Sequence, residues 1–334
     1  MLKTQLCRSG PDPAAEGDLV IVQERYDRLT FLTLKRDAHL HNRYGRFAHN
    51  DLIGRPLGVR WNSVGENNEN SAGFLYAFAP TSELWALAVE NRTQVVYPHD
   101  AAIITLHLEL TPGKVMIEAG TGSAAATTVF ARALGPHGKV LSFEFHKERA
   151  AAAMQDMRLL GLNEVVTVFP EVNVLTSGFH QVEDASVDAV FLDLPAPYEM
   201  LEESARVLRA NGSLCAFSPC IEQVKKTCEK LRNGPFYLIK VMTCPVRTYE
   251  TKEERTIESR FEELFPSEGD IFRNSKNEEG TSTDPLQGSI ARRTQTSVKD
   301  GHQGKIFKTR KPLRSRPFSV MKGHTSYLTF AYRA

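Results

Sequence analysis

The 334-residue chain is 41% hydrophobic and 24% charged, so most of it can bury a core, as one large domain or two ordinary ones. Its 41 Lys and Arg nearly balance 40 Asp and Glu, a formal net charge of +1, which excludes a basic nucleic-acid surface spread over the whole chain and leaves a local patch or one shared with a partner. The N-terminus lacks a signal-peptide core, no apolar run reaches the roughly 18 residues of a membrane span, and the five cysteines form no CxxC pair, so the expectation is a soluble, intracellular protein with no metal site, no disulfide framework and no membrane contact.

In chain order, the apolar runs of residues 18–34 flank the polar stretch Gln23–Arg28 and predict a hairpin. Turn glycines in 43–58 and the apolar run 73–80 extend this to a small all-β module over residues 1–78. From 79 onward, helix-period and strand-period segments alternate to about residue 245, the signature of βαβ units and a parallel sheet. Strands are predicted at 115–119, 139–144, 165–169, 187–193, 213–217 and 235–244. Helices are predicted from Ser123 to Gly135, over 146–160, over 198–208, and from Ser218 as N-cap with Pro219 at the first helical position. That last helix is expected to present Ile221, Val224, Cys228 and Leu231 on one face. The charged stretch 250–264 suits a helix, and residues 265–304 are too polar to offset their ordering entropy. Residues 305–316 carry six basic residues and no acid, and 325–332 read as a terminal strand.

Three strand ends carry chemistry. Glu118-Ala-Gly120-Thr-Gly122-Ser123-Ala124 ends an apolar strand and opens a helix, a place where backbone can approach a ligand and N–H groups are free. Alone it fits a plain βα turn or, with Ala125 at the third position of GxGxxG, a dinucleotide site. Glu144 ends the next strand, where an acid accepts hydrogen bonds from a ribose diol of either kind of cofactor. Asp193-Leu-Pro195-Ala-Pro197-Tyr198 ends the fourth strand with a carboxylate facing the same crevice and prolines fixing the backbone after it, similar to the Asp/Asn-Pro-Pro-aromatic word of enzymes that methylate amino or ring nitrogens of bases. Phe217-Ser-Pro-Cys-Ile-Glu-Gln-Val224 follows the fifth strand; by itself it is a helix start.

At these words the chain resembles the eukaryotic tRNA (adenine-58-N1)-methyltransferase catalytic subunits. The matching stretches are DLIGRPLG (51–58), ELW (83–85), RTQVVY (92–97), EAGTGS (118–123), EFHKERA (144–150), VFLDLPAP (190–197), FSPCIEQV (217–224) and GHTSYLTFA (323–331), in the family's order. The resemblance implies an α/β class I S-adenosylmethionine-dependent methyltransferase fold, a Rossmann-like seven-stranded sheet with a small N-terminal all-β domain. Its last two strands would form an antiparallel hairpin interrupted by a disordered insertion at about 265–320. It further implies S-adenosyl-L-methionine held by Val96, Gly120, Gly122, Ser123, Ala124, Glu144, Arg149 and Asp193. Where the family has Asp-Val after the third strand, this chain has Asn173-Val174, with Glu171 as the other candidate. Asp193 would be catalytic, accepting a hydrogen bond from the exocyclic amine of the target adenine. For tRNA, the expected contacts are Arg43, Arg46 and His49 in the β module, then Tyr97, Leu192, Pro195, Phe217, Ser218, Pro219, Cys220, Glu222, Gln223 and Thr325. The basic run 305–316 is a further candidate. The implied partner is a related non-catalytic subunit, two of each in a heterotetramer, and the implied location is nuclear, with KTRKPLRSR (308–316) as a candidate signal. The rival readings are a methyltransferase of the same fold acting on protein or another RNA, and a non-catalytic RNA-binding subunit.

Overall fold

Two sheets and their flanking helices organise the chain. The computed structural model describes residues 12–25, 28–65, 70–89, 93–253, 313–318, 323 and 326–334. The predicted tract 265–304, most of the predicted helix 250–264, the basic residues 305–312 and Thr325 lie outside them.

The N-terminal sheet has the order β2-β1-β6-β5-β4-β3, built from β1 (Leu19–Arg25), β2 (Arg28–Thr33), β3 (His39–Asn42), β4 (Gly45–Ala48), β5 (Val59–Val64) and β6 (Asn70–Phe78). Neighbouring strands all pair antiparallel. Alternation puts Val20, Val22, Phe47, Trp61, Leu75 and Ala77 on the inner face, where they form one apolar cluster with Leu34 and Leu52. Each fully buried Leu, Val or Phe there contributes roughly 1.5–3 kcal/mol. Leu19 and Ile21, on the opposite face of β1, join the core of the larger sheet instead.

The larger sheet has the order β12-β15-β11-β10-β7-β8-β9. Its strands are β7 (Val115–Ala119), β8 (Lys139–Glu144), β9 (Val166–Pro170), β10 (Val187–Leu192), β11 (Leu208–Ser218), β12 (Phe236–Met242) and β15 (Tyr327–Arg333). β7 to β11 pair parallel, whereas β15 runs antiparallel between β11 and β12. The helices α1 (Ser82–Ala88), α2 (Pro98–His107), α3 (Ala125–Leu134), α4 (Lys147–Leu159), α5 (Val174–Ser177), α6 (Leu201–Val207) and α7 (Ile221–Asn233) complete it. Trp85, Ile104, Phe130 and Met157 pack on one face of the sheet, while Phe179, Met200, Leu201 and Leu231 pack on the other. Because successive strands step outward from β7 in both directions, the crevice at the carboxyl ends of β7, β8 and β10 is a topological switch point.

Several boundaries differ from expectation. The helix over 198–208 is a 3-10 turn (Pro197–Met200) followed by α6, and it ends at Val207 because Leu208 already pairs with Val187 of β10. Asn211, in a left-handed conformation at φ 62°, sits inside strand β11. Ser218 is the last residue of β11, paired with Tyr327, and does not cap α7. Cys220 caps it, through a reciprocal box with Gln223. The buried face of α7 is Val224, Thr227 and Leu231, while Ile221 is exposed, since it lies in the first turn before the helix meets the sheet.

Residues 246–322 form a separate unit. Its described part is an antiparallel ladder of β13 (Tyr249–Glu253) and β14 (Leu313–Pro317), tied by an Arg316–Glu250 ion pair at 2.6 Å. Residues 250–253, at the head of the expected helix, and 313–317, within the expected disordered tract, are thus in strands. Each supplies the other's backbone partners, a pairing with no local signal.

Candidate active site

The turn after β7 is shaped by close approach. A Cβ on Gly120 (φ 96°) would lie 2.3 Å from the Asp193 carbonyl oxygen, and one on Gly122 (φ 55°) 2.8 Å from Thr93 Oγ1. The Asp193 N–H donates to the Ala119 carbonyl at 2.9 Å, which clamps the tip of β10 to the tip of β7. The turn's own donors are largely consumed. Gly120 and Thr121 N–H donate to the Phe143 carbonyl, Ala124 N–H to the Thr121 carbonyl, and Gly122 N–H to Glu144 Oε2 at 2.9 Å. The expectation of free N–H groups is corrected at these four positions: the neighbouring β8 strand takes those of Gly120, Thr121 and Gly122, and the turn's own Thr121 carbonyl takes that of Ala124.

Carboxylates dominate the crevice instead. Glu144, nearly fully buried at the end of β8, accepts Gly122 N–H on one oxygen and His146 N–H on the other at 3.0 Å, with Arg149 Nε 3.8 Å away. Each oxygen keeps a second lone pair for a hydroxyl donor. Burial pushes the Asp193 carboxyl up to about 7, and the charge of Glu144 adds to it. Beneath the turn, burial raises Glu118 to about 7, opposed by hydrogen bonds from Ser142 Oγ (2.6 Å) and Thr127 Oγ1 (2.7 Å), while the charges of Asp193 and Glu144 push in the same direction as burial. A pyrophosphate would meet three acids and few vacant donors here; a ligand carrying a positive charge meets a complementary field.

A cavity of about 430 Å³ opens over these groups, within the roughly 300–1,000 Å³ range of small-molecule sites. Its polar wall holds Thr93, Gln94, Glu144, Arg149, Asn173 and Asp193, and its apolar wall Phe143, Phe145, Val172, Val174 and Leu175. A smaller adjoining cavity shares Thr93, Gly120, Gly122 and Asp193, and adds Val96, Glu118, Ser123 and Ala124. All ten positions expected to contact a cofactor line one of the two. Asn173 lines the larger one and caps α5 through Oδ1, which accepts Leu175 N–H at 3.2 Å. Glu171, exposed and 3.8 Å from Lys147, is not among the residues lining either cavity.

The model of the family described as "tRNA methyltransferase complex GCD14 subunit" matches residues 73–333. The chain belongs to this family. A second model, TrmI-like N-terminal, matches residues 13–59. Among relatives, the tRNA (adenine(58)-N(1))-methyltransferase catalytic subunit of Dictyostelium discoideum is 33% identical over 324 residues, covering 95% of each chain. The corresponding subunit of Schizosaccharomyces pombe is 32% identical over 346 residues, covering 94% of this chain and 92% of its own. Among solved structures, a SAM-dependent O-methyltransferase from Thermotoga maritima superposes with a TM-score of 0.68 at 25% identity, covering 97% of this chain and 95% of that one. The tRNA (m1A58) methyltransferase of Aquifex aeolicus superposes at 0.62 and 22% identity, covering 96% and 98%, and shares the fold. The architecture is that of class I SAM-dependent methyltransferases.

For a member of this family the expected substrate positions sort into three groups. Pro195 lines the cavity, and Tyr97, Pro219, Cys220, Glu222 and Arg43 are exposed. Gln223 is committed within the protein: Nε2 donates to the Pro195 carbonyl at 2.8 Å and Oε1 accepts Cys220 N–H at 3.3 Å, so it struts the Asp193–Pro195 loop against α7. Arg46 is half-buried and bonded to His39 at 3.0 Å. Four expectations are corrected by burial. Leu192 and Phe217 belong to the two apolar layers, because strand alternation turns them into the core. Ser218 is fully buried, its Oγ without a hydrogen-bond partner among the described residues. His49 is buried in the β module, accepting Lys35 N–H on Nδ1 at 3.2 Å and edge-on to Trp61, and burial lowers its pKa.

Cavity residues not singled out from sequence as contacts include Glu118, Thr93, Gln94, Phe145 and Leu175. Glu118 did leave a signal: a lone acid inside the apolar run VMIEA. Thr93 lies in the matching stretch RTQVVY, but its place under Gly122 depends on a contact across 30 residues, where its N–H donates to Ser123 Oγ.

Proposed function

We propose that this chain is the catalytic subunit that transfers a methyl group from S-adenosyl-L-methionine to N1 of adenine 58 in tRNA, working with a related non-catalytic subunit, two of each, in the nucleus. The observation that carries this reading is Asp193: a half-buried carboxylate on a proline-fixed strand tip, clamped to the glycine turn and opening into the cavity.

The donor set suits the cofactor. Glu144 offers acceptors for a ribose diol, Phe145, Val172, Val174 and Leu175, with Asn173 beside them, give the cavity an apolar wall against which a flat purine would lie, and the surrounding acids favour a cation. When bound, the cofactor supplies a methyl group already activated by a sulfonium charge. The chain's own residues need supply no base, because adenine N1 presents a lone pair without losing a proton. Asp193 would accept a hydrogen bond from the exocyclic amine, orient the ring and stabilise the positive charge the purine gains. That role requires the ionised form. A cation in the cavity favours it, against the burial that holds the carboxyl up at about 7. Gln223 would keep the Asp193–Pro195 loop in place. The target base must leave its stack to reach Asp193, so contacts to the tRNA backbone over a wider surface are required.

The test is co-expression with the related subunit, transfer of radiolabelled methyl to a tRNA transcript, and mapping of 1-methyladenosine. Label in tRNA at that base, lost in Asp193→Ala while the thermal transition is retained, supports the reading. Label appearing in protein, or near-normal kcat for Asp193→Ala, overturns it.

A further inference from the structure

The outer face of the N-terminal sheet carries groups the reaction does not use. Along β5 and β6 burial alternates: Trp61, Ser63, Leu75 and Ala77 are buried, whereas Arg60, Asn62, Phe74 and Tyr76 are exposed. The register sets Arg60 opposite Tyr76 and Asn62 opposite Phe74, so the four form one contiguous patch. Phe74 and Tyr76 are each 42% exposed, which is costly for two neighbouring rings unless something covers them. They meet edge to face at 5.8 Å, and the Arg60 guanidinium lies 3.9 Å from the Phe74 ring centroid. Arg60 pairs with no carboxylate among the described residues. Alternation and pairing place Arg46 of β4 and His41 of β3 on the same outer face, away from buried Phe47. The strands β3 to β6 contain no aspartate or glutamate.

Flat exposed rings interleaved with uncompensated arginines match one partner chemistry best. Unstacked bases bind on aromatic faces, guanidinium groups bind phosphates, and an acid-free face imposes no repulsion on a polyanion. We propose that this face holds unpaired nucleotides of the RNA substrate, with bases against Tyr76 and Phe74 and phosphates at Arg60 and Arg46. The inference rests on the tRNA reading given above and adds a second recognition surface to it. The near-neutral net charge of the chain conceals the patch, because acids elsewhere cancel it in the sum.

The experiment measures binding of an unmodified tRNA transcript to the full-length chain, purified with its accompanying subunit, by fluorescence anisotropy between about 50 and 200 mM salt. The pair Phe74→Ala with Tyr76→Ala is expected to weaken Kd by roughly tenfold or more. Arg60→Gln is expected to reduce the slope of log Kd against log salt by about 1. In methyl transfer both raise KM and leave kcat at saturating tRNA unchanged. Should the aromatic pair fail to fold, Arg60→Gln alone decides the matter through its salt slope. Unchanged affinity and unchanged slope, in a wild-type protein that does methylate tRNA, overturn this proposal and leave the tRNA reading standing. Unchanged affinity with loss of the accompanying subunit makes the face a protein interface and also overturns it. A wild-type protein that neither binds nor methylates tRNA removes both.

Discussion

The crevice at the carboxyl ends of β7, β8 and β10 and the outer face of the β5–β6 pair solve recognition in opposite ways. The crevice gathers buried Glu118 and Glu144 with half-buried Asp193, so each charge is expensive and strongly felt. The outer face displays Arg60, Phe74 and Tyr76 to solvent, where charge is screened and the rings carry the specificity. The first arrangement suits one small cation held in a fixed place; the second suits a long polyanion held at many weak points. A formal net charge of +1 is the sum of these local fields and describes neither.

Breaking the crevice should cost most. Asp193→Ala is expected to lower kcat by about 10³-fold or more in single-turnover methyl transfer, with little change in the far-ultraviolet spectrum. A fall of less than about tenfold would demote Asp193 to a structural residue. Gly120→Ala comes next. Its Cβ would meet the Asp193 backbone at 2.3 Å, which no rotamer relieves, and the backbone would have to hold φ 96° with a side chain. We expect a loss of about 2–4 kcal/mol in urea unfolding and a weakened cofactor affinity; a variant as stable as wild type would mean that the clamp between β7 and β10 is loose.

Asp193→Asn sharpens the comparison by separating charge from shape. Folding raises the Asp193 pKa from 3.8 to about 7, so the folded state favours the neutral acid. Its contribution to stability is therefore full below the unfolded value and lost as pH rises towards 7. The asparagine variant should unfold about 2–4 °C higher than wild type at pH 8, with the difference vanishing towards pH 4, even as activity is lost. An unfolding midpoint for the asparagine variant that is no higher at pH 8 than wild type would remove burial as the cause of the shift. The smallest effect is expected for Gln223→Ala. Losing the strut to the Pro195 carbonyl should lower kcat/KM by roughly 3–10-fold through kcat, as for one neutral hydrogen bond, and leave cofactor affinity unchanged. A change in cofactor affinity alone would assign Gln223 elsewhere.

Much of this was legible without coordinates, because some features are local. A strand ends where an apolar run meets a glycine turn or an acid, and that marked Glu144 and Asp193 at strand tips. A helix ends at its glycine, and α3 stops before Gly135 and α4 before Gly161. The β module was harder to read: β5, with the sequence VRWNSV, alternates only weakly and was missed.

The sequence by itself determined the succession of strands and helices, the glycine turn and the acid-tipped strands, since each is a short-range consequence of periodicity, backbone freedom or chain stiffness. Only the tertiary structure decided which of two adjacent residues faces the crevice. Leu192 went to the core and Asp193 to the cavity because successive side chains at the tip of β10 point to opposite sides, with the Asp193 backbone held to Ala119. It alone made Ser218 a strand end, through pairing with Tyr327 more than 100 residues later, and paired 249–253 with 313–317. It also assigned the glycine-turn donors to Phe143 and Glu144, and set Arg60 beside Phe74. These are contacts between distant segments, and their energies depend on register and burial, quantities that no window of neighbouring residues contains.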